Sequence, residues 1–223
     1  MRRPAAILFD WDNTLVDTWP TIYASLHHCM TAMGVPPWSM EETKERVRLS
    51  LREAFPPLFG DRWEEARRVY LEHFEATHLD RMRPLPGRQA MLEGLAGTGI
   101  YLGVVSNKTG ALLRREADHL GWSPLFGGIV GAGDAKRDKP APEPVVLALA
   151  PAGIAPGEAV WFVGDTATDM ECAHASACVP VLLGGSAEAA EFVSAPPRLS
   201  FADAARLFDH VRGLRFGGAD PSS

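Results

Sequence analysis

The chain is short of cysteine, short of lysine, without a basic excess and without a long apolar run, and each shortage removes a class of function. Its three cysteines, Cys29, Cys172 and Cys178, are odd in number and form no C-x-x-C pair. A disulfide framework and a zinc site are therefore not expected, and the thiols read as reduced, in a cytoplasmic protein. The net charge of −6 and pI near 5.6 are the opposite of the basic stripe that a nucleic-acid binder carries. Behind Met1-Arg2-Arg3 the apolar run Ala5–Phe9 stops at Asp10. That is too short for a secretory signal, and no later stretch approaches a membrane span. No G-x-x-x-x-G-K-[ST] string exists, and Gly131-Ala132-Gly133 is followed by Lys136 where a dinucleotide fingerprint needs its third glycine. Neither nucleic acid nor membrane is expected as a partner, and the chain is expected to be a monomer or homodimer.

Apolar residues make up 46% of the 223 and charged residues 22%, enough for a well-filled core of one α/β domain with a modest insertion. Pro4–Phe9 reads as a short buried strand. Helical spacing then predicts helices over Asp17–Met33, Glu41–Phe55 and Trp63–Leu79, so that 16–84 is expected to be all-helical. From Gly87 onward strand and helix alternate: strands at Ile100–Val105, Gly128–Val130, Ala159–Val163 and Val179–Leu183, helices at 87–97, Thr109–Leu120, Glu143–Leu149 and Thr168–Ser176. Phe201–Val211 reads as a closing helix and Gly213–Ser223 as a frayed tail. Such alternation implies βαβ units and a Rossmann-like parallel sheet, interrupted by a helical insertion.

Four separated segments carry polar residues where apolar runs end. Asp10-Trp11-Asp12-Asn13-Thr14 follows the first strand and Ser106-Asn107 the second; Lys139-Pro140 and Gly164-Asp165-Thr166-Ala167-Thr168-Asp169 come later. A parallel sheet brings the carboxyl ends of its strands to one edge, where ligands bind. The convergent set suits Mg²⁺-assisted phosphoryl transfer through an aspartate. Asp10 fits a nucleophile toward phosphorus. Asp12, two residues on, is placed to protonate a leaving alcohol oxygen and then to activate water. A calcium loop is excluded, because its glycine position is Leu15 and its closing glutamate position is Thr21. Ser106 and Asn107 offer a hydroxyl and an amide to phosphoryl oxygens, although alone they read as a helix cap. Lys139, one of four lysines, supplies a cation to offset Asp10 and the phosphoryl charge. Asp165 and Asp169, four apart, suit a hard-cation site. The tryptophans at 19, 38, 63, 122 and 161 read as packing residues.

Taken in order, Asp10-x-Asp12-x-Thr14, Ser106-Asn107, Lys139-Pro140 and Gly164-Asp165-x-x-x-Asp169 resemble the motifs of the haloacid dehalogenase superfamily, in its phosphatase branch related to phosphoglycolate phosphatase. The resemblance covers nearly the whole chain. It implies an α/β core at 1–15 and 85–223 with a mobile helical cap at 16–84. It further implies an aspartyl-phosphate on Asp10, acid/base catalysis by Asp12, and Mg²⁺ on Asp10, the Asp12 carbonyl and Asp165, with Asp169 ordering that site or Lys139. Thr14, Ser106, Asn107 and Lys139 would bind substrate, expected to be a small phosphorylated metabolite. An intact Asp12 argues against a dehalogenase and a phosphonatase. A sugar-phosphate mutase shares every core motif, and a catalytically inactive binding protein is the alternative of a different class. Asn13 and Cys178 stand where glycine is usual. Arg48 also replaces a usual glycine, in a segment facing the site when the cap closes. Alone or with Arg52 it would recruit a second anionic group of the substrate; otherwise it is a solvated helix residue paired with Glu41 or Glu45.

Overall fold

A computed structural model describes residues 2–47 and 49–214; Met1, Arg48 and residues 215–223, most of the expected frayed tail, lie outside the described residues. In chain order the elements are β1 (Ala6–Phe9), β2 (Val16–Asp17), α1 (Trp19–Ala32), α2 (Met40–Arg46), α3 (Leu51–Phe59), α4 (Trp63–Arg81), β3 (Arg83–Pro84), α5 (Arg88–Ala96) and β4 (Tyr101–Thr109). They continue as α6 (Gly110–His119), β5 (Gly128–Ala132), α7 (Glu143–Leu149), β6 (Val160–Gly164), α8 (Ala167–Ala175), β7 (Val179–Leu183), β8 (Leu199–Phe201) and α9 (Ala204–Gly213). Six strands form one parallel sheet in the order β5-β4-β1-β6-β7-β8.

Alternation along β1 explains the three layers. Ile7 and Phe9 point into a core shared with Leu92 of α5, Leu113 of α6 and Leu207 of α9. Ala6 and Leu8 point into a second core with Val145 and Leu149 of α7 and Ala173 of α8. A strand buried on both faces is apolar throughout, which is why Ala6–Phe9 has no polar residue. The chain runs from β1 outward to β4 and β5 on one side and to β6, β7 and β8 on the other. Ligands of open α/β sheets bind in the crevice where the order reverses. Phe9 is level with Val104 of β4 and with Val163 of β6, so Asp10 leaves the sheet between these two neighbours.

Between β2 and β3 lie α1 to α4, which hold their own core of Leu26, Met30, Phe55, Tyr70 and Phe74, with Leu112 of α6 against it. Three expectations need correction here. The segment 16–84 is not wholly helical: Val16–Asp17 and Arg83–Pro84 pair as a two-stranded antiparallel ribbon where the chain departs and returns. The single helix expected over Glu41–Phe55 is two, because Val47 and Ser50 are extended (ψ 95° and 159°) and a new helix starts at Leu51. That second helix runs on through Pro56 and Pro57. The sheet also gains an edge strand, β8, and the last helix starts only at Ala204, where the Asp203 carboxylate caps Arg206 N at 2.9 Å. No helix among the described residues is long and apolar enough to cross a membrane.

Candidate active site

The turn after β1 is built by Asn13, which adopts a left-handed φ of 64°. Asparagine tolerates this conformation better than most residues, so it serves where glycine would. Asn13 N donates to Val16 O at 2.7 Å and Asp10 N to Val163 O at 2.8 Å. These bonds fold the loop back on itself and tie it to β6.

Lys139 lies between two carboxylates, with Nζ 2.6 Å from Asp10 Oδ1 and 2.7 Å from Asp169 Oδ1. Burial works against its charge, but the two carboxylates outweigh it and hold the ammonium above the ordinary lysine range. The Asp10 carboxyl is raised as well, which for an acid favours the neutral form. Burial pushes its carboxyl up to about 7; Lys139 opposes this, while Asp169 and Asp12 add to it. Asp165 is likewise pushed well above the usual carboxylate value by burial and by Asp169 and Asp10. Oxygens of Asp10, Asp165 and Asp169 all lie within 4.8 Å of one another. Three carboxylates around one ammonium leave surplus negative charge, and an all-oxygen donor set of this kind suits a hard divalent cation. A side chain at position 164 would collide with Asp169, so Gly164 lets that carboxylate reach the cluster.

The other predicted residues are distributed differently. Asp12 faces the cavity, and its Oδ1 accepts from Lys108 Nζ at 2.6 Å; its carboxylate is not part of the three-carboxylate cluster. Ser106 lines the same cavity, and its Oγ accepts from Lys108 N at 3.2 Å, leaving the hydroxyl hydrogen for another acceptor. One expected substrate contact needs correction. Thr14 is wholly buried, and its hydroxyl donates to Asp165 Oδ1 at 2.6 Å, so it orients a carboxylate rather than facing a substrate. Asn107 lines the cavity, and its amide also ties down the main chain of Lys139, donating to its O at 3.1 Å and accepting from its N at 3.0 Å, with a second N–H remaining on Nδ2. Asp169 Oδ2 accepts from Asp165 N, Thr166 N and Thr166 Oγ1 while Oδ1 takes Lys139. Both of its oxygens are therefore engaged in ordering the loop and the ammonium.

Arg52, considered as a partner for Arg48, is committed elsewhere. It forms a bidentate pair with the buried Asp138, Nε to Oδ2 at 2.5 Å and Nη2 to Oδ1 at 2.6 Å, joining α3 to the loop that carries Lys139. Sequence reasoning missed Lys108, Glu116 and His78, which form a buried charged cluster behind Asp12. The cavity above the strand ends measures about 130 Å³. Asp10, Asp12, Ser106 and Lys139 lie on its sheet side; Trp19, Ile22, Leu51, Tyr70 and Phe74 face them from the helices. Trp19 is thus a cavity wall, whereas Trp122 and Trp161 are buried in the core.

Residues 7–182 match the model of the haloacid dehalogenase-like hydrolase family. The chain is 29% identical over 177 residues to a phosphoglycolate phosphatase of Xylella fastidiosa, covering 78% of this chain and 77% of that one. It is 30% identical over 174 residues to an N-acetylmuramic acid 6-phosphate phosphatase of Pseudomonas aeruginosa, covering 76% of each. Among solved structures, a predicted phosphoglycolate phosphatase of Haemophilus somnus superposes with a TM-score of 0.81 at 23% identity, over 94% of this chain and 99% of that one.

Proposed function

This chain belongs to the haloacid dehalogenase-like hydrolases and is a phosphoric monoester hydrolase, and on that premise we propose that it works through a phosphoryl group carried on Asp10, with Mg²⁺ as cofactor and phosphoglycolate as the first substrate to test. The Asp10 carboxylate carries the assignment. It is buried at the cavity floor, 2.6 Å from the Lys139 ammonium, with Asp12 beside it on the same loop. In the first half-reaction an Asp10 oxygen attacks phosphorus, the P–O bond to the alcohol breaks, and the departing oxygen takes the proton of Asp12. In the second, Asp12 takes a proton from water, the water oxygen attacks the same phosphorus, and the Asp10–phosphorus bond breaks to release inorganic phosphate.

Lys139 offsets the charge of Asp10 as the anionic phosphoryl group approaches, and the Ser106 hydroxyl is placed to donate to a phosphoryl oxygen. Asp10 and Asp165, with the Asp12 main-chain carbonyl, would hold Mg²⁺, and the surplus of carboxylate charge around Lys139 fits such an ion. When bound, the ion supplies positive charge against the phosphoryl oxygens. Asp169 orders Lys139 and the loop. Residues 16–84 act as a cap over a core of 1–15 and 85–223. Turnover of a panel of phosphorylated metabolites with Mg²⁺ tests this: activity should vanish with EDTA and return with excess Mg²⁺. EDTA-resistant turnover would refute the metal site, and absence of any turnover would favour a binding protein. Release of inorganic phosphate, rather than its return to the substrate, separates hydrolysis from a sugar-phosphate mutase.

We further propose that Arg48 selects the substrate. In the sequence its neighbours are Val47 and Leu49, both of which line the cavity, and a guanidinium matches the fork geometry of a second anionic group such as a carboxylate. Loss of a charge-assisted contact of this kind lowers kcat/KM roughly ten- to a hundredfold. Arg48→Gly should do so for phosphoglycolate and leave nitrophenyl phosphate nearly unchanged. An equal response of the two substrates would place the selectivity elsewhere.

A further inference from the structure

Behind Asp12 the protein holds a row of buried charged groups for which the proposed chemistry has no use. Lys108 Nζ reaches Asp12 Oδ1 at 2.6 Å and Glu116 Oε2 at 2.7 Å. Glu116 also accepts from Trp11 Nε1 at 2.6 Å, and its Oε1 lies 2.7 Å from His78 Nδ1. A carboxylate only accepts, so the hydrogen of that last bond sits on Nδ1. Four elements meet here: the loop after β1, β4, α6 and, from the helical segment, α4. Glu116 is fully buried, His78 is 1% exposed, and the Lys108 side chain is 5% exposed. Asp12 and Lys108 line the cavity, whereas Glu116, His78 and Trp11 lie behind it.

Such a cluster is costly to build, and replacing buried ion pairs by apolar residues is often neutral or stabilising. Its geometry does, however, answer a requirement of acid/base chemistry at Asp12. That carboxyl gives up a proton and takes one back in each cycle. When it holds the proton, Lys108 would, but for Glu116, be a buried ammonium without an anionic partner. Glu116 is a second carboxylate that takes no part in the reaction, and it is fixed from behind by Trp11 and His78. It holds the ammonium in place through both states of Asp12. Lys108 has three N–H donors and no acceptor, so the Asp12 oxygen it touches, Oδ1, is kept as acceptor. The exchangeable proton is thereby confined to Oδ2.

We infer that Glu116 is a positioning residue for the proton-transfer step: through Lys108 it fixes which Asp12 oxygen carries the proton and where that oxygen points. This inference rests on the acid/base role proposed for Asp12. It concerns the protonation of the leaving group and not the attack on phosphorus, which gives it a distinctive signature. An alkyl phosphate needs its departing oxygen protonated, whereas nitrophenolate leaves without help.

The test compares the two substrate types in purified, Mg²⁺-loaded protein, alongside thermal unfolding. Glu116→Gln should lower kcat/KM for an alkyl phosphate roughly ten- to a hundredfold, the effect of losing a charge-assisted contact. It should change kcat/KM for nitrophenyl phosphate by less than about threefold, because kcat/KM covers only the steps up to phosphorylation of Asp10 and nitrophenolate leaves without a proton; kcat, which also contains the Asp12-assisted attack of water, should fall for both substrates. Asp12→Ala serves as the reference and should show the same selectivity, more strongly. Should Glu116→Gln fold poorly, the double variant Lys108→Met with Glu116→Leu removes the charged pair together and should show the same selective loss. Equal losses of kcat/KM on both substrates, or none, in whichever variant folds would overturn the inference and leave Glu116 a structural residue. If Asp12→Ala itself shows no leaving-group dependence, the acid/base assignment fails, and the role of Glu116 falls with it.

Discussion

Asp10→Asn is expected to reduce steady-state phosphate release by roughly 10³-fold or more while leaving the protein folded, because an amide is a poor nucleophile toward phosphorus. The surroundings of Asp10 explain why the loss should be catalytic and not structural. Burial raises the carboxyl, Lys139 opposes that, and the charges of Asp169 and Asp12 raise it further. An asparagine removes the charge that Asp169 and Asp12 repel, keeps the shape, and still offers an oxygen to Lys139. The ammonium also retains Asp169 at 2.7 Å. The metal-free variant should therefore melt at or above the wild-type temperature. Parallel measurement of phosphate release and thermal unfolding checks both halves. Turnover within tenfold of wild type would mean that another group attacks phosphorus, and a large drop in melting temperature would mean that Asp10 is a structural anchor.

The sequence reveals much of this site because parallel strands buried on both faces are continuous apolar runs. Where such a run ends in Asp10 or Asp165, the break marks a strand terminus and the residue faces the ligand edge, whereas at Ser106 it marks a shift of register inside β4, which runs on to Thr109 and not, as expected, only to Val105. What stayed hidden depends on contacts between distant segments. The ribbon of Val16–Asp17 with Arg83–Pro84 and the edge strand Leu199–Phe201 span two or three residues each, too few for a period to show. The roles of Thr14 and Asn107 could not be read from spacing, since each is set by a partner far away in the chain, Asp165 and Lys139. The Lys108 cluster did leave a trace. On α6 the buried face comprises Leu112, Leu113, Glu116 and Ala117, and on α4 the buried row is Ala66, Tyr70, Phe74 and His78. A glutamate and a histidine that fall on apolar helical faces require buried partners, and Lys108 lies eight residues before Glu116.

The metal-free protein is expected to lose stability as pH rises from about 4 to about 7, and Mg²⁺ should reverse that loss. In the folded state Asp10 is raised from 3.8 to about 7, and Asp165 is raised well above 3.8. Across that window the native state holds protons that the unfolded chain has already released, so raising the pH favours unfolding. A cation that binds only the folded protein adds stability by mass action, and it does so most where the carboxylates must be ionised. The Mg²⁺-induced rise in melting temperature should accordingly be larger at pH 8 than at pH 6. Asp165→Asn isolates the cause. The Asn oxygen still accepts from the Thr14 hydroxyl, which now bonds Asp165 at 2.6 Å, so the loop keeps its shape while the cluster loses one charge. Without metal at pH 8 this variant should melt at or above the wild type. With Mg²⁺ its melting temperature should not rise, and its turnover should fall by on the order of a hundredfold or more, because the ion's charge stabilisation in the transition state is lost. Calorimetry of both proteins at the two pH values, with Mg²⁺ or EDTA, reads every term. A wild-type melting temperature that is flat or rising over this range without metal would mean that the carboxylates do not repel one another as their spacing implies. A full Mg²⁺ shift in Asp165→Asn would place the ion away from Asp165.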